Sequence, residues 1–455
     1  VHILIVANGY PPTAVGGVET YTAELSRYLA RQGHQVTVFC RESDFSRPDY
    51  EITTEHIELV KVIRVVNDYK QAHSFSQTIL DERVEQIFDT VLETEQPDLI
   101  HFNHLIALSA RLPLVAAKHK IPSVSTLHDF WTICHRVNLI DWRGHICPGP
   151  LHGVNCAACV VGGTLRQKAS QAIGKTARLM KGLLPIPVRR MMRTAFLEDD
   201  DQPPALASSP EIFAERLVLF TEAVLSTQRI LVPSEYVRRQ FANNGIPLER
   251  IEVFPLGIEQ LTATLASKPA SGLLTFAAIG PIQPIKGMDI AIKAFRSVPG
   301  DHLRLKIYGR TDLYPRNHVR RITQLAQADP RVSLMGPFNP ADRASVFESF
   351  EILIVPSRAP ETFSFVTREA LASGKPVIAA RIGALAEIIQ DGVNGFLFAP
   401  GDIQQLARHL LSFANNPDLI SHLTVPGPVQ ILTTAEHAEQ MQSIYRQVLA
   451  ESISN

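Results

Sequence analysis

The sequence predicts two α/β domains, each a parallel β-sheet covered by helices, closed by a C-terminal helix. Three observations predict it. The chain is 455 residues long, more than one hydrophobic core usually serves, so two domains of roughly 200 residues are expected. Short, nearly continuous apolar runs recur along it, as in strands buried on both faces. Helical periodicity separates those runs, which is the βαβ rhythm of a parallel sheet.

Taken in order, Ile3–Ala7 reads as the first strand, Val18–Arg31 as a helix with Leu25, Tyr28 and Leu29 on one face, and Gln35–Cys40 as the second strand. Further strands are expected at Val60–Val66, Leu99–Phe102, Ser123–Leu127 and Ile230–Val232, with a helix over Asp81–Leu92. The stretch 134–230 breaks the rhythm and reads as an insertion. A second series begins after a Pro-, Gly- and Ser-containing segment: strands at Leu273–Ile279, Leu303–Tyr308, Val332–Leu334, Ile352–Val355, Val377–Ala379 and Gly395–Phe398, with helices over Met288–Ser297 and Arg316–Ala328. The expected boundaries are therefore 1–255 for the first domain, 256–272 for a linker and 273–430 for the second domain. Residues 431–455 form the last helix, opened by a Thr433/Glu436 capping box and carrying Ala438, Met441, Ile444, Tyr445, Val448 and Leu449 as one apolar stripe. That stripe must pack on something.

Composition narrows the function. Apolar residues are 45% and charged residues 20%, close to the average of soluble globular chains, so disordered and fibrous classes drop out. Lys+Arg 44 against Asp+Glu 45 leaves a net charge of −1, so no global field draws the chain to nucleic acid. The opening apolar run has neither a basic lead nor a small-residue cleavage site, and no run of 18 apolar residues occurs, which together read as a cytoplasmic chain. Five cysteines are too few for a disulfide scaffold, and Cys40 ends an apolar strand as a core thiol would. Cys134, Cys147, Cys156 and Cys159 instead fall close together with a Cys-x2-Cys closing pair. Four thiolates suit a structural zinc with no open position for catalysis; the other readings are buried thiols, or a site in which His135, His145 or His152 replaces one ligand.

Two loops bear on chemistry. Gly16 and Gly17 lie between the first strand and the first helix, where backbone amides and the helix dipole favour an anion such as a diphosphate; the same pair also serves simply as a turn. The second loop follows the strand Ile352–Val355. It places Glu361 just before a helix and Glu369 within it, while the amides of Phe363, Ser364 and Phe365 face outward at the helix start. Two such acids can accept hydrogen bonds from hydroxyls at the two ends of a nucleotide sugar, although either also suits an ordinary solvated helix.

These residues resemble the retaining glycosyltransferases of family 4, whose GT-B fold has two facing Rossmann-like domains. The resemblance is carried by Gly16-Gly17-Val18-Glu19, Thr126-Leu127-His128-Asp129, Val232-Pro233-Ser234, Pro255-Leu256-Gly257-Ile258, Lys286-Gly287, and Glu361 with Glu369, in that order along most of the chain. It implies a donor-phosphate lysine at Lys286, a sugar-side glutamate at Glu361, a ribose-binding glutamate at Glu369 and a catalytic-region histidine at His128, with the nucleotide sugar bound mainly by the second domain. Two positions depart from the family. Pro281 follows Gly280 where the family commonly has arginine, so Arg310 or Arg358 is left to supply that cation, and Ser364 stands where glycine is common. A dinucleotide oxidoreductase is disfavoured because no Gly-x-Gly-x-x-Gly follows either opening strand.

From Arg166 to Arg193 the chain carries eight basic residues and no acid, interleaved with apolar ones. The pattern suits peripheral contact with an anionic membrane surface; the acidic run Glu198–Asp201 that follows suits a self-neutralised insertion. The function expected is transfer of a sugar from a nucleotide-sugar donor to a sugar, lipid-linked or small-molecule acceptor, in glycan, glycolipid or polysaccharide synthesis. No cofactor is expected for the chemistry, and no nucleic acid as partner. The rivals are an epimerase or phosphorylase on the same plan, and a zinc-stapled binding protein with a dead site.

Overall fold

A computed structural model describes residues 1–163, 209–259, 272–311, 316–423 and 431–454. The basic stretch Arg166–Arg193 and most of the expected linker lie outside these residues, as does the acidic run. The described chain divides into two compact units.

The first unit is built on an eight-stranded sheet of β1 (His2–Ala7), β2 (Gln35–Glu42), β3 (Ile52–Ile57), β4 (Val60–Val66), β5 (Leu99–Phe102), β6 (Ser123–Thr126), β7 (Arg229–Val232) and β8 (Ile251–Val253). Their order in space is β3-β4-β2-β1-β5-β6-β7-β8. All pairs are parallel except β3 with β4. Every residue of β1 is buried, as expected of a central strand covered on both faces, and burying each of its large apolar side chains contributes about 1.5–3 kcal/mol. The helix Glu82–Glu95 starts where Asp81 accepts hydrogen bonds from the amides of Arg83 and Val84, and turns Val84, Ile87, Phe88, Val91 and Leu92 inward.

The second unit carries β9 (Leu274–Ile279), β10 (Leu303–Tyr308), β11 (Val332–Gly336), β12 (Ile352–Val355), β13 (Val377–Ala380) and β14 (Gly395–Phe398). Its sheet runs β11-β10-β9-β12-β13-β14 and is parallel throughout. This is the doubly wound order in which the strand sequence reverses between the first and fourth strands, here β9 and β12. Ligands of such sheets bind at the carboxyl ends of the strands at that reversal. In the first unit the reversal falls between β1 and β5.

The C-terminal helix Thr434–Ser454 belongs to the first unit, not to the unit that precedes it in sequence. Its capping box forms: the Thr433 amide donates to Glu436 Oε2 at 2.8 Å and the Glu436 amide to Thr433 Oγ1 at 3.2 Å. The expected stripe is covered, with Ala438, Met441, Ile444, Tyr445 and Val448 buried. Polar side chains fix its register: Tyr21 bonds His437 Nε2 at 2.9 Å, and His101 Nδ1 meets the Tyr445 hydroxyl at 2.7 Å.

Candidate active site

The loops at the β9/β12 reversal gather the charged residues expected from sequence. After β9 the chain makes a short 3-10 turn, Pro284–Lys286, and leaves it at Gly287 with φ +68°. Glycine is required there because a Cβ would collide with the carbonyl of Pro356 in the loop after β12. The Arg358 amide donates to the Ile285 carbonyl at 2.7 Å, so the two loops are tied backbone to backbone. Lys286 Nζ thereby reaches Glu361 Oε1 at 2.7 Å, and the Ser357 hydroxyl donates to the same oxygen at 2.5 Å. The Glu361 side chain is 14% exposed. Burial pushes its carboxyl up, but Lys286 and Ser357 outweigh burial and hold it below the ordinary value. It is an anion at neutral pH, and it occupies one of the three donors of the Lys286 ammonium.

The helix that follows, Phe365–Ala372, starts at Ser364, whose φ is +62°. This left-handed conformation explains why glycine would be common at the position, and Ser364 holds it with a 2.7 Å hydroxyl contact to Thr367 Oγ1. Phe363 is buried beneath the Arg368 guanidinium, 3.6 Å from ring centroid to charge. Burial lowers Arg368 to about 9, so it remains a cation. Glu369 is buried, with Oε1 3.3 Å from Arg343 Nη1. Of the two arginines considered for the missing cation, Arg358 is committed elsewhere: it clamps both oxygens of Asp289 at 2.8 and 2.9 Å and holds that carboxyl, against the upward push of burial, at about 2. Arg310 is exposed just beyond β10.

In the first unit Gly16 caps the helix Gly17–Arg31 with no side-chain bond, and the Glu19 carboxylate folds back over it, so that a Cβ at Gly16 would have to push that side chain aside. Glu19 also accepts from Asn8 Nδ2 at 2.8 Å. The helix start thus already faces a carboxylate. His128 follows β6 and is buried, its ring 4.7 Å from that of Tyr21 and its Nε2 3.4 Å from Asn103 Oδ1. Burial, helped by His101 and His104 nearby, pushes it down to about 3, so it is a neutral imidazole at working pH. A cavity opens beside it at the carboxyl ends of β5 and β6.

Residues 273–416 match the family model described as glycosyl transferases group 1, and residues 15–149 match glycosyltransferase family 4. The chain belongs to the family 4 glycosyltransferases. This glycosyltransferase is 24% identical over 428 residues to the D-inositol 3-phosphate glycosyltransferase of Mycobacterium marinum, a match covering 93% of this chain and 77% of that one. The protein of the same description from Mycolicibacterium smegmatis is 30% identical over 233 residues, 48% of this chain and 50% of that one. Sucrose-phosphate synthase from Thermosynechococcus elongatus superposes with a TM-score of 0.66 at 18% identity, covering 99% of each chain. Anabaena HepE in complex with UDP and glucose superposes at 0.59 and 17% identity, covering 98% of this chain and 99% of that one. The fold class is accordingly GT-B.

Within this family 4 glycosyltransferase, the structure brings Lys286 and Glu361 together and seats Phe363, Ser364, Phe365 and Glu369 on one loop and helix. Of the cysteines, Cys134 and Cys156 are buried, and Cys159 is buried on the same helical stretch as Cys156. Cys147 is half-buried, with its Sγ 3.4 Å from the Gly149 carbonyl. Among the described residues no group of three or more His, Cys, Asp or Glu side chains stands gathered for a metal ion. Sequence reasoning passed over Ser357, Asp289, Arg343, Asn103 and His104. Position at a strand's carboxyl end could have found Asn103 and His104, one and two residues past β5, and Ser357, two past β12; Asp289 and Arg343 are visible only through their partners.

Proposed function

We propose that the chain is a retaining hexosyltransferase that takes its sugar from a nucleotide-sugar donor held by the second unit. The reading is carried by one observation: Lys286, Glu361 and Ser357 converge at the strand reversal where such sheets bind ligands, with the amides of Phe363–Phe365 beside them. Breaking the anomeric bond leaves positive character on the sugar and negative charge on the diphosphate. Lys286 and the helix amides meet the second, and Glu361 orients the sugar hydroxyls and meets the first. Lys286 can serve both because Glu361 takes only one of its three donors. Glu369 holds the ribose, and Arg310 adds a cation toward the diphosphate. His128, being neutral, acts as a hydrogen-bonding group and not as a charged acid. The UDP and glucose complex of HepE makes UDP-sugars the first donors to try. The test is a panel of UDP-, GDP-, ADP- and TDP-sugars followed by NMR of the product anomer: retention is expected, and inversion refutes the reading.

Two further readings rest on sequence. The four cysteines are proposed as a structural zinc set on their spacing and burial, to be drawn together by the metal. The basic stretch Arg166–Arg193, outside the described residues, is proposed to hold the enzyme at an anionic membrane surface, which binding to anionic vesicles and its release by salt would test. Among the described residues no helix is long and apolar enough to cross a membrane.

A further inference from the structure

The loop between β1 and the helix Gly17–Arg31 is held by a side chain from two strands away. Its residues Pro12, Thr13, Val15 and Gly16 are exposed, as is Gly17, so apolar burial does little to fix their position. Hydrogen bonds to Arg64 do so instead. Arg64 lies on β4, with β2 between it and β1, and only 2% of its side chain is exposed. Its Nη1 donates to the Tyr10 carbonyl at 3.0 Å and to Thr13 Oγ1 at 2.9 Å, and its Nη2 donates to the Pro11 carbonyl at 3.1 Å. Its Nε turns the other way, to Glu55 Oε1 on β3 at 2.7 Å. The Tyr10 carbonyl is the focus of the loop: the Thr13 hydroxyl and the Ala14 amide both donate to it at 3.3 Å. Tyr10 is itself anchored, its ring buried and its hydroxyl 2.9 Å from Ser26 Oγ on the helix.

We propose that Arg64 is a positioning residue for the transfer reaction: it fixes the loop after β1 and, through it, the helix start at Gly16 and Gly17. The inference rests on the glycosyltransferase reading above and deepens it. A residue needed only to stabilise the sheet would bury apolar surface at this strand position, because a buried charge costs stability unless it is paired and hydrogen-bonded. The ion pair alone does not explain the arginine, since Glu55 is 47% exposed and an exposed partner adds little. What explains it is the loop, whose three acceptors lie 51 to 54 positions away in sequence and meet one guanidinium. That group is a planar fork with donors in fixed directions, whereas a lysine ammonium is a single point of charge and cannot hold the same set. The loop delivers Gly16 and Gly17, which open a helix whose free amides suit an anion. Displacement of such a group by about 1 Å costs about 10²-fold in rate.

The test uses the full chain, with turnover of the nucleotide sugar that the wild type uses fastest and native-state cleavage by elastase, which cuts after small residues such as Ala14 and Val15. Arg64→Gln should lower kcat about tenfold or more while the donor KM stays within about threefold, because the donor is held by the second unit. It should also speed cleavage between residues 12 and 17 about tenfold while cleavage elsewhere in the first unit keeps its wild-type rate. A role in stability alone would speed cleavage throughout that unit and leave the rate per folded molecule unchanged. Arg64→Lys should recover part of the lost kcat. Thr13→Val removes one Arg64 contact from an exposed residue and carries the test if Arg64→Gln does not fold: it should lower kcat about threefold, and in the Arg64→Lys background it should add almost nothing, since both act through one contact. A wild-type kcat in Arg64→Gln, lost kcat without faster cleavage of the loop, or fully additive effects of Thr13→Val and Arg64→Lys overturns the proposal. Wild-type protein that turns over no nucleotide sugar refutes the transferase reading and this role with it, whereas an active wild type with an indifferent Arg64→Gln refutes this inference alone.

Discussion

Three buried imidazoles should make the first unit acid-labile well above the range in which carboxylates titrate. His101, His128 and His437 are held by burial at about 3, about 3 and about 4, against 6.5 for an exposed ring. They lie where the C-terminal helix docks: His101 bridges Thr126 and Tyr445, and His437 bridges Tyr21 and the Pro255 carbonyl. Because the folded values lie below the unfolded one, the unfolded chain binds more protons between them. Stability is therefore full above pH 6.5 and declines as pH falls toward 4 and 3. Each ring contributes about 1.4 kcal/mol per pH unit in that window, so at pH 5 each has cost about 2 kcal/mol and the three together about 6 kcal/mol. That approaches the whole stability of many domains, about 5–15 kcal/mol. Both tryptophans of the chain, Trp131 and Trp142, lie in the first unit, so urea unfolding followed by tryptophan fluorescence reports this unit alone. The midpoint should fall steeply between pH 7.5 and 5.0, and His437→Gln should reduce the pH dependence by about a third. A midpoint that does not move over that range, or a dependence unchanged in His437→Gln, would refute the argument.

Other outcomes follow from the second unit and the cysteines. Glu361→Gln should lower kcat by about 10²-fold with the fold intact, the scale of one lost transition-state contact, whereas Glu369→Gln should chiefly raise the donor KM; a wild-type rate in Glu361→Gln removes it from the site. Ser364→Val forces a β-branched residue to positive φ and should cost about 2 kcal/mol or more, while Ser364→Gly should stay within about 1 kcal/mol because lost strain offsets the lost hydroxyl contact and chain entropy; equal melting temperatures for the two variants would contradict this. Elemental analysis should find about one zinc per chain if the cysteines act as proposed, and a metal-free protein of full stability would defeat that reading.

The two sheets were legible because their central strands are buried on both faces and read as unbroken apolar runs; β4, β5, β10, β12 and β14 coincide with the spans expected. β3 escaped notice for the opposite reason. Its sequence, Ile-Thr-Thr-Glu-His-Ile, forms an antiparallel edge strand with no buried residue, so neither apolar continuity nor clean alternation marks it. The packing of the expected insertion 134–230 was not legible either. Its last part is the helix Pro210–Leu225, whose Phe220 packs into the first unit's core against Trp131. A single aromatic at helical spacing does not reveal its partner 89 positions earlier.

Legibility of the site differs between the units for a physical reason. In the second unit the chemistry is local: one strand end, one loop and one helix start bring Ser357, Glu361, Phe363 to Phe365 and Glu369 together within 13 residues, and only Lys286 arrives from a second loop. Backbone geometry at a single helix start then suffices to place them, so a short segment of sequence carries the arrangement. In the first unit the polar groups at the strand ends are arranged by pairing across the sheet. His104 acts through Asp129, His128 through Asn103, and Asn103 through Thr22, each contact joining residues 25 or more positions apart. No local pattern encodes which histidine will orient which carboxylate. The charge and tautomer of such a pair are consequences of β5 and β6 lying side by side in register.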